Sequence, residues 1–315
     1  MVKKLNVLVV GGTGFIGKNF IYNFRKKKNW NIYSVSRELP KKSEAIPNVS
    51  YKKCDILIKN DLTKMNFKIF NYVIYAIGPN NLGDLKKKKD LYFHNKHYQA
   101  LKRFVVNLDL KNLKKFIFFG SSEEYGFLKS PHHEKQKTRK LKNPYGMFKY
   151  KSTIYLKKLY DKLNFPVVIL RVYLTYGPFQ RENRLIPQYL KAFFRKKKIR
   201  VTSGKQKKDF LFILDLIFLI QKCLTNKKAN GEIFNVGSKK PILLNRIFSI
   251  LINKFNIKPQ VDEKKMRISE LKNSYPNISK AEKILNWRPK IDLLQGLKYT
   301  VKYYKKNIEI NVNIL

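Results

Sequence analysis

The apolar positions change period along the chain in a regular way. Leu5 to Val10 is an apolar, largely β-branched run interrupted only by Asn6, the pattern of a strand buried on both faces. A glycine-rich stretch over residues 11–17 follows, and Lys18 to Lys28 then carries apolar side chains at 20, 21 and 24, which is helical spacing. Asn31 to Ser36 reads as a second strand, closing a βαβ unit within about 35 residues. The alternation continues with a strand over Tyr72 to Ile77, a long amphipathic helix over Leu91 to Leu108 and a strand over Phe116 to Phe119. A helix over Tyr145 to Leu163 and a strand over Val167 to Tyr173 complete it. Strands alternating with helices in this way predict an α/β fold built on a doubly wound parallel sheet.

The regularity weakens after Tyr176-Gly177-Pro178, where helices such as Leu185 to Lys196 mix with short strands near Ile233 to Val236. The expected organisation is one domain over 1–176 and a smaller, mostly C-terminal α/β domain over 177–315. Residues 205–240, notably Phe210 to Thr225, are expected to return in part to the first domain.

A chain of 315 residues is long enough for one large or two medium domains and needs no disulfide staples. Its two cysteines, Cys54 and Cys223, exclude a disulfide scaffold and a cysteine-based zinc cluster, and no metal site is expected. The longest late apolar stretch, Phe210 to Ile220, is broken by Asp215 and falls short of the roughly 20 residues that span a bilayer. The N-terminal apolar run is too short for a signal-peptide core, so a cytoplasmic protein without membrane insertion is expected.

The formal net charge of +47 calls for a polyanionic partner or a bland cause. Only 12 of the 68 basic residues are Arg, and the Lys runs at Lys26–Lys28, Lys86–Lys89 and Lys196–Lys198 are scattered along the chain. Nucleic-acid binders concentrate their charge on one face and favour Arg for base contacts. A compositional origin is therefore preferred and a nucleic-acid partner is not expected, with a charge-driven partner left as the alternative.

The glycine stretch carries the first candidate chemistry. Gly11, Gly14 and Gly17 are spaced G-x-x-G-x-x-G between a buried strand and an amphipathic helix. Such glycines permit the tight turn, let backbone approach a pyrophosphate and allow close helix–strand packing. The diphosphate then rests on free N–H groups at the helix N-terminus, here Phe15 and Ile16. This predicts a Rossmann-type dinucleotide site. At the end of the second strand, where an acid would bind the ribose diol of NAD, stand Ser36 and Arg37. A hydroxyl and a guanidinium suit a 2′-phosphate better, so the reading of NADP or NAD leans to NADP, with Arg37 as a plain solvated cation the alternative.

Tyr145 and Lys149 lie four apart at the start of a predicted helix and so project from one face. A nearby ammonium favours phenolate over phenol, which would let the Tyr work as an acid or base. Ser121 and Ser122 end the strand over Phe116 to Phe119, at the carboxyl edge where doubly wound sheets bind ligands. A structural loop cap is the competing role for either serine.

Together these residues resemble the extended short-chain dehydrogenase family, the NAD(P)-dependent nucleotide-sugar epimerases, dehydratases and reductases. Gly11 to Gly17 matches its glycine loop, Asp55-Ile56 its adenine-contacting pair, and Ala76-Ile77-Gly78 the cofactor-lining end of the fourth strand. Gly120-Ser121-Ser122-Glu123-Glu124-Tyr125-Gly126 is similar to its serine segment and Asn143-Pro144-Tyr145 through Lys149 to its Tyr-Lys helix. Arg171 to Pro178, Lys208-Asp209-Phe210 and Leu285 to Pro289 are similar to later family motifs. Three positions depart from the pattern: Leu174 replaces an Asn, Lys208 an Arg, and Tyr98, in the helix near Asn95, a small residue.

A homodimer through the two long helices, Leu91 to Leu108 and Tyr145 to Leu163, is expected. The resemblance implies that Gly11, Gly14, Phe15, Ile16, Gly17, Ser36, Arg37, Asp55, Ile56, Ala76, Gly78, Asn95, Tyr145 and Lys149 bind the coenzyme. Ser122, Leu174 and Lys208 would contact a nucleotide-sugar substrate. Tyr145 would exchange a proton with a sugar hydroxyl at C4, Lys149 would support it, and Ser121 would hold the oxygen. Glu123 stands where the 4,6-dehydratases carry an acid–base Glu. The preferred outcome is a 4-epimerase or 4-keto reductase, with a 4,6-dehydratase as one alternative. A non-catalytic dinucleotide-binding protein with a basic RNA- or partner-binding surface is the alternative from another class.

Overall fold

A computed structural model describes residues 4–138, 140–263 and 271–312. Six strands build the first part of the central sheet: β1 (Leu5–Val10), β2 (Trp30–Ser36), β3 (Val49–Lys53), β4 (Tyr72–Tyr75), β5 (Lys115–Ser121) and β6 (Val167–Val172). A late strand, Ile233–Val236, pairs with β6 and makes the seventh. Every pairing is parallel and the order from one edge is Ile233–Val236, β6, β5, β4, β1, β2, β3. The direction of winding therefore reverses between β1 and β4, and a crevice opens there at the carboxyl edge.

Side chains alternate across the sheet and build two cores. Val7, Val9, Ile74 and Ile117 face helices α1 (Phe15–Phe24) and, late in the chain, Ile213–Thr225, with Phe20, Ile21, Ile217 and Ile220 opposite them. Leu8, Val10, Val73, Tyr75 and Phe116 face the other way. They meet Leu101, Phe104 and Leu156, carried by α3 (Lys88–Val105) and α4 (Pro144–Leu163), where the short α2 is Lys59–Thr63. A strand buried on both faces has no polar side to present, which is why its sequence reads as a largely apolar run.

Beyond β6 the chain forms the short strand Leu174–Tyr176, parallel to Phe210–Phe212, and the helices α5 (Leu185–Phe194) and α6 (Ile213–Thr225). Helices α7 (Leu244–Phe255), α8 (Ser279–Leu285) and α9 (Leu293–Val312) follow. Helix α6 and the strand Ile233–Val236 both pack on the central sheet. No helix among the described residues is long and apolar enough to cross a membrane.

Candidate active site

The glycine turn is built as its spacing requires. Gly11 sits at φ +89°, in the left-handed region, and its N–H donates to the Val35 carbonyl. A Cβ on Gly17 would stand 2.4 Å from the Gly11 carbonyl oxygen, so only glycine lets α1 start this close to β1. Helix α1 begins at Phe15 rather than Lys18, with Gly14 as its N-cap, no side-chain cap and no acid in its first turn. That N-terminus, with Phe15 and Ile16 as its first residues, leaves N–H groups open to an anion. Ala76 lies alongside, its N–H donating to the Val10 carbonyl at 2.9 Å. The cradle fits a dinucleotide diphosphate.

At the end of β2 the Ser36 side chain is buried and accepts the Thr13 N–H at 3.3 Å, while Arg37 is exposed. Asp55 and Ile56 play a more local part. The Asp55 carboxylate accepts the Leu57 N–H, and Ile56 is packed in the core with Leu62 and Phe70.

The Ser, Tyr and Lys come together where β5 ends and α4 begins. Ser121 ends β5 and caps the short turn that follows: its hydroxyl accepts the Glu123 N–H at 3.2 Å, while the Glu124 carboxylate accepts the Ser121 N–H at 2.9 Å. Asn143 caps α4 by accepting the Gly146 N–H, with Pro144 at the first helical position, and this aims the first turn at Ser121. The Ser121 side chain favours ionisation of the Tyr145 hydroxyl. One turn on, the Lys149 ammonium is buried, lies 5.6 Å from the Tyr145 ring centre and donates to the Phe119 carbonyl at 2.6 Å. Gly78 leaves it room, since a Cβ there would come within 3.3 Å of its nitrogen.

The electrostatics differ from the expectation of a phenolate-favouring lysine. Burial pushes the Tyr145 hydroxyl up to about 12, helped by Glu123 and Glu124, against the cation Arg184 and the Ser121 side chain. Lys149 is not among the groups that lower it. The lysine is itself pushed down to about 8 by burial, and its ammonium is turned to a backbone carbonyl.

Asn95 is not brought to the crevice. It is exposed and lines a groove between α3 and α4 with Tyr92, Tyr98, Met147 and Lys151. The inward residue is His94, one place earlier: it is buried, packs edge-on to Tyr145, and contacts the Asn81 and Asp90 carbonyls. Consecutive residues on a helix diverge by about 100°, so a shift of one place exchanges crevice for solvent.

The substrate-side residues spread further. Ser122 is half-buried in the turn after Ser121, and Leu174 is 49% exposed at the start of its strand. Lys208 reaches the Leu271 carbonyl at 2.7 Å and so ties its strand to the C-terminal part.

Sequence reasoning missed two neighbours. Arg184, the N-cap of α5, contacts the Asn80 carbonyl at 3.5 Å and is the cation that most favours Tyr145 ionisation. Lys142 pairs with Glu123, and the amide of Asn143, itself part of the Tyr-Lys segment, donates to the same carboxylate oxygen. Neither Arg184 nor Lys142 carries a spacing signal, because each reaches the site through a loop or cap whose path only the fold fixes.

The family comparison agrees with this geometry. The model described as the NAD dependent epimerase/dehydratase family matches residues 7–237. The chain belongs to that family. A UDP-glucuronate 4-epimerase of Thermodesulfobacterium geofontis is 30% identical over 63% of this chain, and the match spans 61% of that relative's length. A putative UDP-glucose 4-epimerase of Methanocaldococcus jannaschii is 27% identical over 96% of this chain and 99% of its own. The human dTDP-D-glucose 4,6-dehydratase is 24% identical over 96% and 90%. Among solved structures, the UDP-glucose 4-epimerase of Thermotoga maritima with UDP-glucose superposes with a TM-score of 0.85 at 21% identity, covering 96% of this chain and 100% of its own. The UDP-glucuronic acid 4-epimerase of Bacillus cereus, in complex with UDP-glucuronic acid and NAD, gives 0.82 at 22% identity, with 96% and 100% covered.

Proposed function

We propose that the protein is an NAD(P)-dependent nucleotide-sugar oxidoreductase acting at sugar C4, as a 4-epimerase or 4-keto reductase. The observation that carries this is the convergence of Ser121, Tyr145 and Lys149 beside a glycine cradle that fits a dinucleotide. When bound, a pyridine dinucleotide supplies a carbon that accepts and returns hydride at C4. The residues at hand would hold it as follows: Gly11, Gly14 and Gly17 with the first turn of α1 at the diphosphate, and Gly78 and Lys149 at the nicotinamide side.

Tyr145 is the proton carrier. Its hydroxyl is protonated in the folded chain, so it serves first as a hydrogen-bond partner to a sugar oxygen and gains base strength only as positive charge gathers nearby. Arg184 and the Ser121 side chain already act in that direction. Ser121, fixed by the Glu124 carboxylate, positions the sugar oxygen against the phenol. Turnover of a panel of UDP- and dTDP-sugars by wild type and Tyr145→Phe tests this reading. General acid–base catalysis contributes about 10²–10⁴-fold, and a comparable loss is expected. If the wild type turns over no sugar while RNA binds tightly at physiological salt, the non-catalytic reading wins.

A 4,6-dehydratase is the second reading, favoured by Glu123 and by the human relative. Elimination across C5 and C6 needs a group to take the C5 proton and a proton donor for the leaving hydroxyl. Glu124 is buried against Arg171 and Glu123 is paired with Lys142, so the arrangement supports C4 chemistry better.

For the coenzyme, relatives with solved complexes name NAD. No acid ends β2 of this chain, and exposed Arg37 suits a 2′-phosphate. The lean to NADP therefore rests on Arg37 alone. Tighter binding of NADPH than of NADH supports it, and equal or tighter NADH binding ends it. A homodimer through α3 and α4, which leave Tyr92 and Ile154 exposed, is part of the same proposal, and a monomer at micromolar concentration in light scattering contradicts it.

A further inference from the structure

Glu123 is held in an unusual way for a group offered as an acid or base. Its Oε2 accepts the Asn143 amide at 2.7 Å and lies 3.4 Å from the Lys142 ammonium. The Lys142 side chain is only 5% exposed and the Glu123 side chain 24%. Asn143 cannot easily let go, because its own amide oxygen caps α4 through the Gly146 N–H at 2.8 Å. Gly146 packs on the same turn, where a Cβ would come within 2.7 Å of the Glu123 carbonyl oxygen. The carboxylate, its cation and its amide partner are thus locked to the helix end that presents Tyr145.

The other acid of the segment is committed elsewhere. Glu124 is buried against Arg171 at 2.9 Å, and its second oxygen holds the Ser121 N–H. Glu123, held to Asn143 and packed against Gly146 at the helix end that presents Tyr145, is therefore the carboxylate of this segment left beside the phenol.

A reactive carboxylate there has a defined consequence. Once C4 is a carbonyl, the hydrogen on C5 is acidic. A free carboxylate would take it as a proton; the electron pair would form the C5–C6 double bond as the C6–oxygen bond breaks, and the departing hydroxyl would take up the proton the carboxylate has gained and leave as water. Here the Glu123 oxygen is already engaged by the Lys142 ammonium and the Asn143 amide, and is not free to meet that hydrogen.

We propose that Lys142 is a specificity-determining residue: by pairing with Glu123 it withdraws that carboxylate from C5 and confines the reaction to C4. The proposal rests on the reading of the site given under Proposed function, and it makes the choice between outcomes depend on a side chain outside the Ser-Tyr-Lys set.

The test uses the full chain with NAD and either UDP-glucose or dTDP-glucose in D₂O, followed by proton NMR and mass spectrometry. Wild type should give the C4 epimer without deuterium at C5 and without loss of water. K142M should raise deuterium at C5, or water loss, by about tenfold, the size expected when one charge-assisted partner is removed. K142R keeps the cation and should behave as wild type, and the double variant E123Q/K142M should fall back to the wild-type level. Water loss by the wild type, or a K142M product indistinguishable from it, overturns the proposal.

A second measurement needs no turnover. Carbodiimide coupling of an amine to exposed carboxylates, mapped by peptide mass spectrometry, should label Glu123 slowly in wild type and K142R and about tenfold faster in K142M. Equal labelling rates overturn the pairing whatever the activity. Differential labelling with no turnover of any nucleotide sugar in wild type would instead leave the pairing intact and sink the functional reading.

Discussion

The Ser121 segment hangs on a buried ion pair, and removing its cation should be costly. Glu124 is 2% exposed and Arg171 4%. The guanidinium Nε donates to Glu124 at 2.9 Å, lies 4.7 Å from the Tyr125 ring centre and reaches the Glu134 carbonyl through Nη1. Arg171→Met keeps much of the volume but leaves a buried carboxylate whose remaining partner is the Ser121 N–H. Losing one partner of such a pair costs about 3–5 kcal/mol, whereas replacing both with apolar groups is often near neutral. A loss of about 4 kcal/mol is a factor near 10³ in the folding equilibrium. Urea unfolding followed by the fluorescence of Trp30 and Trp287, both buried, should show R171M far below wild type and E124M/R171M recovering most of the difference. A single-variant loss under about 1 kcal/mol, or a double variant as unstable as the single, would refute the claim that this pair anchors the segment.

Two buried lysines should make stability rise with pH. Lys115 and Lys149 are both pushed down to about 8 by burial, so between about 8 and the unfolded value near 10.5 the unfolded chain holds more protons and folding gains as pH increases. Each contributes at most about 3 kcal/mol over that window, and K115M should cut the pH slope of the urea midpoint by about half; an unchanged slope contradicts the assignment. Gly17→Ala should both destabilise the fold and weaken NADH binding in fluorescence titration, because the new Cβ meets the Gly11 carbonyl oxygen; undiminished NADH affinity would show that α1 does not need this close approach. Ile154→Glu on α4 should shift light-scattering mass from dimer to monomer, and an unchanged dimer would move the interface elsewhere.

The strands of the central sheet were legible because burial on both faces leaves a largely apolar signature, interrupted only by Asn6 in Leu5–Val10 and by Arg171 in Val167–Val172. The glycine cradle was legible because its steric demands admit no other residue at Gly17. The Ser-Tyr-Lys set was legible because one helix turn and one strand end carry all of it. Asn95 and His94 show where this kind of reading stops: both stand on α3, and only packing decides which of two adjacent residues faces inward. Lys142 and Arg184 reach Glu123 and Tyr145 by loop paths with no periodicity, so nothing in their spacing marked them. The polar network behind the site was equally silent. Tyr125 donates to Asn235 at 2.6 Å, Asn235 donates to the His132 carbonyl, and His132 contacts the Tyr173 hydroxyl, joining three distant segments.

The most direct measurement follows the C4 hydrogen itself. A nucleotide sugar carrying deuterium at C4 is incubated with the full chain and coenzyme, and the nicotinamide is recovered and analysed for label. In a reaction quenched within a single turnover, wild type should show deuterium on the reduced nicotinamide before it returns to C4, and Tyr145→Phe should slow that transfer by about 10²-fold or more. Transfer at an undiminished rate in Tyr145→Phe, or C4 inversion with the deuterium replaced by solvent hydrogen, would contradict proton and hydride exchange at the Ser121, Tyr145 and Lys149 site.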